Sequence, residues 1–477
     1  MLFNSFEFLI FFPAVCVIFF LIPSVKWRNW FLLAASYYFY MNWEPIYALL
    51  LLASTLITYL ASLGMDKAQT RKGKKTYLWL SVMLNILILF FFKYWGFAAE
   101  NVSNLMHWLG IAMEVPDFGI LLPVGISFYT FQALGYSIDV YRGDIKPEKN
   151  FFTYALFVSF FPQLVAGPIE RSTNLLPQFY TKHRFDGDRA IDGVKTMLWG
   201  YFMKLVLADR CALYVNAAFN HVGDHSGYSM LIAAILFCFQ LYGDFAGYTY
   251  IAIGTAKVMG FKLMDNFRRP YLFSTSVQDY WKRNHISLTT WFMDYIYYPL
   301  TEKGNSINWW CFAIFTTFLI SGFWHGAAWT FVIWGAIHGL LLVLEMRTGK
   351  RRKKFEKKHN LTKKGWYVWT QRLCTFAIIC LTLVFFRANS LPDAFATFGY
   401  MFNPADISFG QGRTYLMYSA IGIAILIIKE YVDEYGLTVP FFGKSNFVSN
   451  VVWMSFLIVC IAWFGEFDGG EFIYFQF

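Results

Sequence analysis

One pattern runs through the chain and limits its fold more than any motif does. Apolar runs of membrane-crossing character follow one another, separated by short polar loops: Phe6–Ile22, Trp30–Met41, Ile46–Leu63, Tyr77–Phe97, Ile120–Tyr141, Val194–Ala218, Met230–Gly254, Trp369–Phe386, Tyr415–Ile428 and Val448–Phe464. A broken apolar stretch, Trp309–Leu344, lies among them. A bilayer core about 30 Å thick takes roughly 20 apolar residues as a helix, because only a helix or a closed barrel satisfies its backbone there. Composition agrees: 57% of residues are hydrophobic and 15% charged, against about 25% charged in a soluble domain. The 477 residues cannot be divided into soluble domains, since too little polar surface exists to cover them. The chain reads as an all-α, multi-pass membrane protein, one transmembrane domain over 1–477 with about 10–12 transmembrane helices and an extracytoplasmic C-terminal tail at 465–477.

Charge orients these runs. Lys26 and Arg28 follow the first; Lys67, Arg71, Lys72, Lys74 and Lys75 follow the third; Arg347–Lys364 holds ten Lys/Arg and one Glu. The loop 98–119, the loop after Ala218 and the tail with Glu466, Asp468 and Glu471 carry acidic residues and no Lys or Arg. By the positive-inside rule the basic loops are cytoplasmic and both termini extracytoplasmic. That needs an even number of crossings, which ten spans plus an up-and-down pair within Trp309–Leu344 supply. The first run has no basic residue before it and no Ala-x-Ala site, so it reads as a helix and not a cleaved signal. The basic stretch Arg347–Lys364 reads as a cytoplasmic loop facing anionic membrane lipids, not as a nucleic-acid surface.

Two regions do not fit simple spans. Phe151–Ile169 is broken by Pro162, Gly167 and Pro168, and Lys257–Thr301 mixes Arg268, Arg269, Lys282, Arg283 and His285 with aromatics. Both read as re-entrant or interfacial helices on the cytoplasmic side, because irregular backbone at membrane depth needs protein or water over it. The seven cysteines form no CxxC, and most lie in apolar runs, so they read as small buried hydrophobes and not as disulfides or zinc ligands.

Few residues can carry chemistry. His325 lies in Ser-Gly-Phe-Trp-His-Gly (Ser321–Gly326), inside an apolar stretch, where an ionisable group marks function by default. Gly322 and Gly326 beside it point to a backbone break and a close ligand approach. His338 would face away from His325 on one straight helix, so packing and function stand even for it. Trp281 and His285, four apart, would share a helix face. The basic residues Arg268, Arg269, Lys282 and Arg283 serve either as lipid anchors or as phosphate contacts. His221 and His225 have the spacing of a helical zinc pair, but Gly223 intervenes and no further ligand is near, so no metal is expected. P-loop, dinucleotide and hydrolase-elbow motifs do not occur in the sequence. The tail starts at the outer surface and ends Phe472-Ile-Tyr-Phe-Gln-Phe477; the nine steps from Gly465 to Tyr474 reach about 30 Å, while the midplane lies only about 15 Å down.

Five segments, in order, carry a resemblance: Phe161–Arg171, Phe239–Gly254, Asp265–Tyr271, Trp281–Trp291 and Trp324-His325-Gly326. Together they are similar to the membrane-bound O-acyltransferase (MBOAT) family, in its bacterial branch serving alginate and peptidoglycan O-acetylation, with teichoic-acid D-alanyl transfer as a cousin. The resemblance implies a ring-like helical fold whose outer funnel and inner cavity meet at a buried histidine. It places the Trp-His position on His325, the second family histidine on His285, and an acyl-carrying tyrosine on Tyr474. One departure stands: Tyr250 occupies a position where an Asp is expected, while Asp244 is retained. The implied reaction takes acetyl from cytoplasmic acetyl-CoA, its phosphates near Arg268, Arg269, Lys282 and Arg283. His325 acts as base, and Asn284 or Trp324 polarises the carbonyl. An extracytoplasmic SGNH-like acetyltransferase then completes transfer to a polysaccharide. No permanently bound cofactor is expected. D-alanyl transfer from a carrier protein, or export of a polymer precursor, are the alternatives.

Overall fold

The computed structural model describes residues 1–119, 121–225, 227–403, 412–437, 446–469 and 472–475, with Phe475 described by its backbone alone. Ile120, Glu471 and Phe477, named above, lie outside the described residues. Among those described the secondary structure is helical, with no strand. Eight helices are long and apolar enough to cross a membrane: Tyr47–Lys67, Arg71–Trp108, Tyr228–Met259, Ile307–His325, Trp329–Lys358, Gly365–Arg387, Gly412–Glu434 and Phe447–Phe464; Phe6–Leu21 is apolar but shorter. Each expected span falls on a helix, and the broken stretch is the expected up-and-down pair, Ile307–His325 and Trp329–Lys358, but the helices at the expected spans Phe6–Ile22, Trp30–Met41, Ile120–Tyr141 and Val194–Ala218 are not among these eight, which is fewer than the 10–12 expected. The chain is a multi-pass membrane protein.

The chain divides into two compact units, 1–194 with 251–264, and 195–250 with 265–477. The first buries the irregular region after Asn150. Asn150 caps the helix Phe151–Ser159 by accepting from Phe152 and Thr153 amides. The chain then turns at Phe160, and Phe161–Leu164 packs under Val25–Met41, with the Phe161 amide donating to Ser36 Oγ at 3.1 Å. Gln132 and Gln163 amides both donate to the Phe157 carbonyl. Protein thus covers this irregular backbone. Gly125 turns here with φ +74°, where a Cβ would sit 2.7 Å from the Leu164 carbonyl oxygen. Glu170 closes the region, buried, accepting from the Met264 amide at 2.5 Å and the Asn174 amide at 2.7 Å. Burial pushes its carboxyl up to about 7, against the pull of those two donors.

The second unit is built on close helix pairs. Gly322 and Gly335 face each other where Ile307–His325 crosses Trp329–Lys358; a Cβ on Gly322 would lie 2.4 Å from the Phe331 carbonyl oxygen. Gly243 and Gly247, a small-xxx-small pair, let Tyr228–Met259 approach the π-helical turn Phe202–Ala208, with Cβ positions 2.8 Å from the Met203 and Gly200 carbonyl oxygens.

Three sequence expectations change. The basic stretch from Arg347 is no loop: it continues the helix Trp329–Lys358, since Lys and Arg are good helix formers and Arg352 pairs with Glu356 at 3.5 Å. Gly322 marks no backbone break but a helix crossing, and the break falls at 326–328, where Gly326 is extended and leaves room for the Phe331 ring. Of the seven free cysteines five are buried, but Cys374 is exposed on Gly365–Arg387.

Candidate active site

His325 is the last residue of Ile307–His325, and it is buried because the chain turns back immediately through extended Gly326 and Ala328. Trp334, one turn into the returning helix, meets the imidazole edge to face at 5.1 Å. Trp324 lies at 5.0 Å and Phe386 at 5.5 Å, ring centre to ring centre. Two further sequence-chosen residues converge here: the Tyr474 ring at 5.8 Å and the His285 ring at 6.4 Å. Phe245 lies against both, 4.7 Å from Tyr474 and 4.5 Å from His285.

His285 does not share a helix face with Trp281. Val277–Arg283 ends at Asn284, and His285 stands in the left-handed region, φ 45°, before Ile286–Phe292 begins. A β-carbon makes that conformation unfavourable, so the surroundings must hold it. Asn266 does: its Oδ1 accepts from His285 Nδ1 at 3.2 Å, from the Ser287 amide at 3.1 Å and from Ser287 Oγ at 2.9 Å. Since a carboxamide oxygen only accepts, Nδ1 carries the proton and Nε2 is the basic nitrogen.

His338 has a different setting. Its Nδ1 accepts from the Trp281 indole at 3.2 Å and its Nε2 faces Thr382 Oγ1 at 3.1 Å. Both ring nitrogens serve packing, and Trp334 stands beside each of the two imidazoles of this hairpin.

The basic residues separate. Arg269 reaches Glu434 at 2.6 Å, Arg283 reaches it at 3.0 Å, and Arg268 pairs with Asp265 at 3.1 Å. Lys282 instead lines a cavity of about 200 Å³ with Trp281, Met293, Phe318, Glu345 and Met346. A smaller cavity shares Trp281, Thr289, Met293 and Phe318 and extends to Phe292 and Ser321, one turn before His325. Asn284 donates its amide to the Tyr280 carbonyl and ends the short helix.

Sequence reading named Asp244 only as a retained position and passed over Lys204 and Asp209, which form a polar cluster with it beneath the tail. Lys204, buried, lies 2.8 Å from Asp209 and 2.7 Å from Asp244. The second Asp244 oxygen accepts from the Ile473 amide at 2.7 Å. The signal existed, because Lys204, Asp209 and Asp244 are ionisable residues inside apolar runs.

The comparisons with known proteins bear on the chain as a whole. Residues 36–387 match the model of the MBOAT, membrane-bound O-acyltransferase family. "Probable alginate O-acetylase AlgI" of Pseudomonas putida is 35% identical over 94% of this chain and 89% of that protein. The protein of the same name from Pseudomonas aeruginosa is 35% identical over 94% and 83%. "Peptidoglycan O-acetyltransferase" of Helicobacter pylori is 34% identical over 76% and 71%. A buried Trp-His on a helical hairpin in a multi-pass chain, and matches across most of its length, lead to one conclusion: this protein is an acyltransferase and belongs to the membrane-bound O-acyltransferase family.

Proposed function

We propose that the protein takes acetyl from cytoplasmic acetyl-CoA and passes it through Tyr474 to the far side of the cell membrane, for O-acetylation of a polysaccharide such as alginate or peptidoglycan. The observation that carries this reading is the convergence of one phenol and two imidazoles: the Tyr474 ring is 5.8 Å from His325, and His285 is 6.4 Å from His325.

The chemistry needs little else. An imidazole with an ordinary pKa near 6.5 is mostly neutral at pH 7 and can accept a phenolic proton. As the Tyr474 oxygen attacks the thioester carbonyl, His325 takes that proton. The tetrahedral intermediate collapses, the C–S bond breaks, and the thiolate leaves and recovers the proton from the imidazolium. The product is an acetyl ester of Tyr474 and free CoA. Thiol and phenol have similar acidities (about 8.5 and 10), so this step is nearly thermoneutral. A sugar hydroxyl is a far poorer leaving group than a phenol, so onward transfer by an extracytoplasmic, SGNH-like partner draws the sequence forward. His285 is the second base of the pocket, its tautomer set by Asn266. Trp324 lies at the reacting centre, 5.0 Å from His325. The Lys282 cavity supports an approach route for the pantetheine arm, with its cation at the mouth and apolar walls toward Ser321. Arg268, Arg269 and Arg283 are ion-paired in this structure, so the donor's phosphates would compete for them with Asp265 and Glu434. The charge distribution supports both termini on the extracytoplasmic side.

The test is acetyl-CoA turnover by purified protein, read with a thiol reagent, beside acetylation of polymer in cells. His325→Ala is expected to abolish both without loss of protein from the membrane. Tyr474→Phe removes one hydroxyl and is expected to abolish polymer acetylation; continued transfer would end the carrier role. An exporter of polymer precursors would move its substrate with no thioester cleavage at all.

A further inference from the structure

The reaction needs Tyr474 held still beside two imidazoles, yet among the described residues after Gly465 this residue lies only in the short helical turn Ile473–Phe475. We propose that Asp244, oriented by Lys204, is a positioning residue that docks the C-terminal segment through the Ile473 amide and so sets the place of the Tyr474 ring. This rests on the reading of Tyr474 as acyl acceptor.

The charge balance leads to it. Lys204 sits in a π-helical turn inside an apolar span, 1% exposed, and a buried ammonium persists only when paired. One carboxylate would suffice, but two are present: Asp209 at 2.8 Å and Asp244 at 2.7 Å. The second brings excess negative charge, which calls for a further donor. The Ile473 amide supplies one at 2.7 Å, a charge-assisted bond stronger than an ordinary peptide contact. The Gly243-x-x-x-Gly247 pair is what lets Asp244 reach Lys204, since any Cβ at either glycine would strike the turn that carries it.

The surroundings turn this one bond into a socket. Residues of the same helix turn receive the rings on either side of Ile473: Phe472 packs on Tyr248 at 4.6 Å and on Phe245 at 5.8 Å, and Tyr474 packs on Phe245 at 4.7 Å. Phe245 also meets His285 edge to face, so the surface that seats the phenol also seats the second imidazole. Upstream, the tail passes the other carboxylate: a Cβ on Gly469 would lie 2.6 Å from Asp209 Cγ. Both carboxylates of the cluster therefore touch the tail, and neither touches the reacting atoms.

The experiment uses full-length protein in detergent, with hydrogen exchange of the C-terminal peptide and acetyl-CoA turnover measured in parallel. Asp244→Ala is expected to speed exchange at the Ile473 amide at least tenfold. It is expected to lower kcat at least tenfold, with the KM for acetyl-CoA within twofold. Asp244→Asn keeps an acceptor oxygen and leaves Lys204 balanced by Asp209, so it is expected to restore both readouts to within about fivefold. Should Asp244→Ala fail to fold, Ile473→Pro removes the amide proton at the first position of a helical turn, where proline is tolerated; since it also trims the buried Ile473 side chain, Ile473→Ala, which keeps the amide, is its control. Wild-type kcat in folded Asp244→Ala or Ile473→Pro, or wild-type tail protection in Asp244→Ala, overturns the proposal. If instead these variants free the tail while Tyr474→Phe still transfers acetyl, the docking stands and the carrier reading of Tyr474 is what fails.

Discussion

Gly322→Ala adds one methyl group where two helices touch through their backbones. The new Cβ would lie 2.4 Å from the Phe331 carbonyl oxygen and 2.8 Å from Gly335 Cα. Neither obstacle is a flexible side chain, so no rotamer change relieves the clash. Restoring an ordinary contact of 3.4 Å requires Ile307–His325 and Trp329–Lys358 to part by about 1 Å. Overpacking of this kind costs about 1–3 kcal/mol. The larger effect is on rate. His325 follows Gly322 by one turn on the same helix, and Trp334, which orients it at 5.1 Å, precedes Gly335 on the other. Parting the helices moves the His325 imidazole away from its own wall, and a misplacement of about 1 Å in a reacting group costs on the order of 100-fold in rate. Gly335→Ala strikes the Phe318 carbonyl oxygen at 2.5 Å and is expected to behave alike. Gly349→Ala on Trp329–Lys358 meets open space and is expected to be neutral or to gain about 0.5–1 kcal/mol from helix propensity. Thermal unfolding in detergent and acetyl-CoA turnover read the two effects separately. A Gly322→Ala protein with wild-type rate and unfolding temperature would refute the claim that this crossing sets the place of His325.

Three further outcomes follow from the packing. His338→Gln keeps a donor and an acceptor for Trp281 and Thr382 and is expected to stay within threefold of wild-type turnover; a loss like that of His325→Ala would make His338 part of the chemistry. Asn266→Ala strands the donors of His285 and Ser287 and is expected to destabilise by about 1–3 kcal/mol for each donor left buried, with turnover falling as well; denaturation with intact turnover would separate Asn266 from the tautomer of His285. Glu170 has a folded-state carboxyl near 7 against an ordinary value of 4.5, so the folded protein binds more protons between these limits. Stability therefore falls as pH rises from 4.5 to 7, by up to about 3 kcal/mol, and is level above. Glu170→Gln is expected to flatten that slope in unfolding scans between pH 4.5 and 7, and an unchanged slope would contradict the assignment.

The one-dimensional order of apolar runs was enough to determine that the chain is helical, that it crosses the membrane many times, and that Trp309–Leu344 is a hairpin. Lipid leaves the backbone no other way to satisfy itself, so these features need no knowledge of which helix touches which. His325 was also legible, because an imidazole in an apolar run stands out wherever the run packs. Tertiary structure decided the rest. Trp281 and His285 look like one helix face by spacing, but the chain breaks between them, and Asn266, nineteen residues before His285, pays for the left-handed turn. Gly322 looks like a hinge and is a contact point, since only the partner helix shows what a Cβ would strike. His338 was evenly poised until Trp281 and Thr382 took both its nitrogens. The tail was even less readable: its seat is a carboxylate 229 residues away, fixed by a lysine that no local pattern connects to it. Periodicity reports which way a residue faces within its own helix, whereas charge balance and close backbone approach depend on groups that the chain brings together only when it folds.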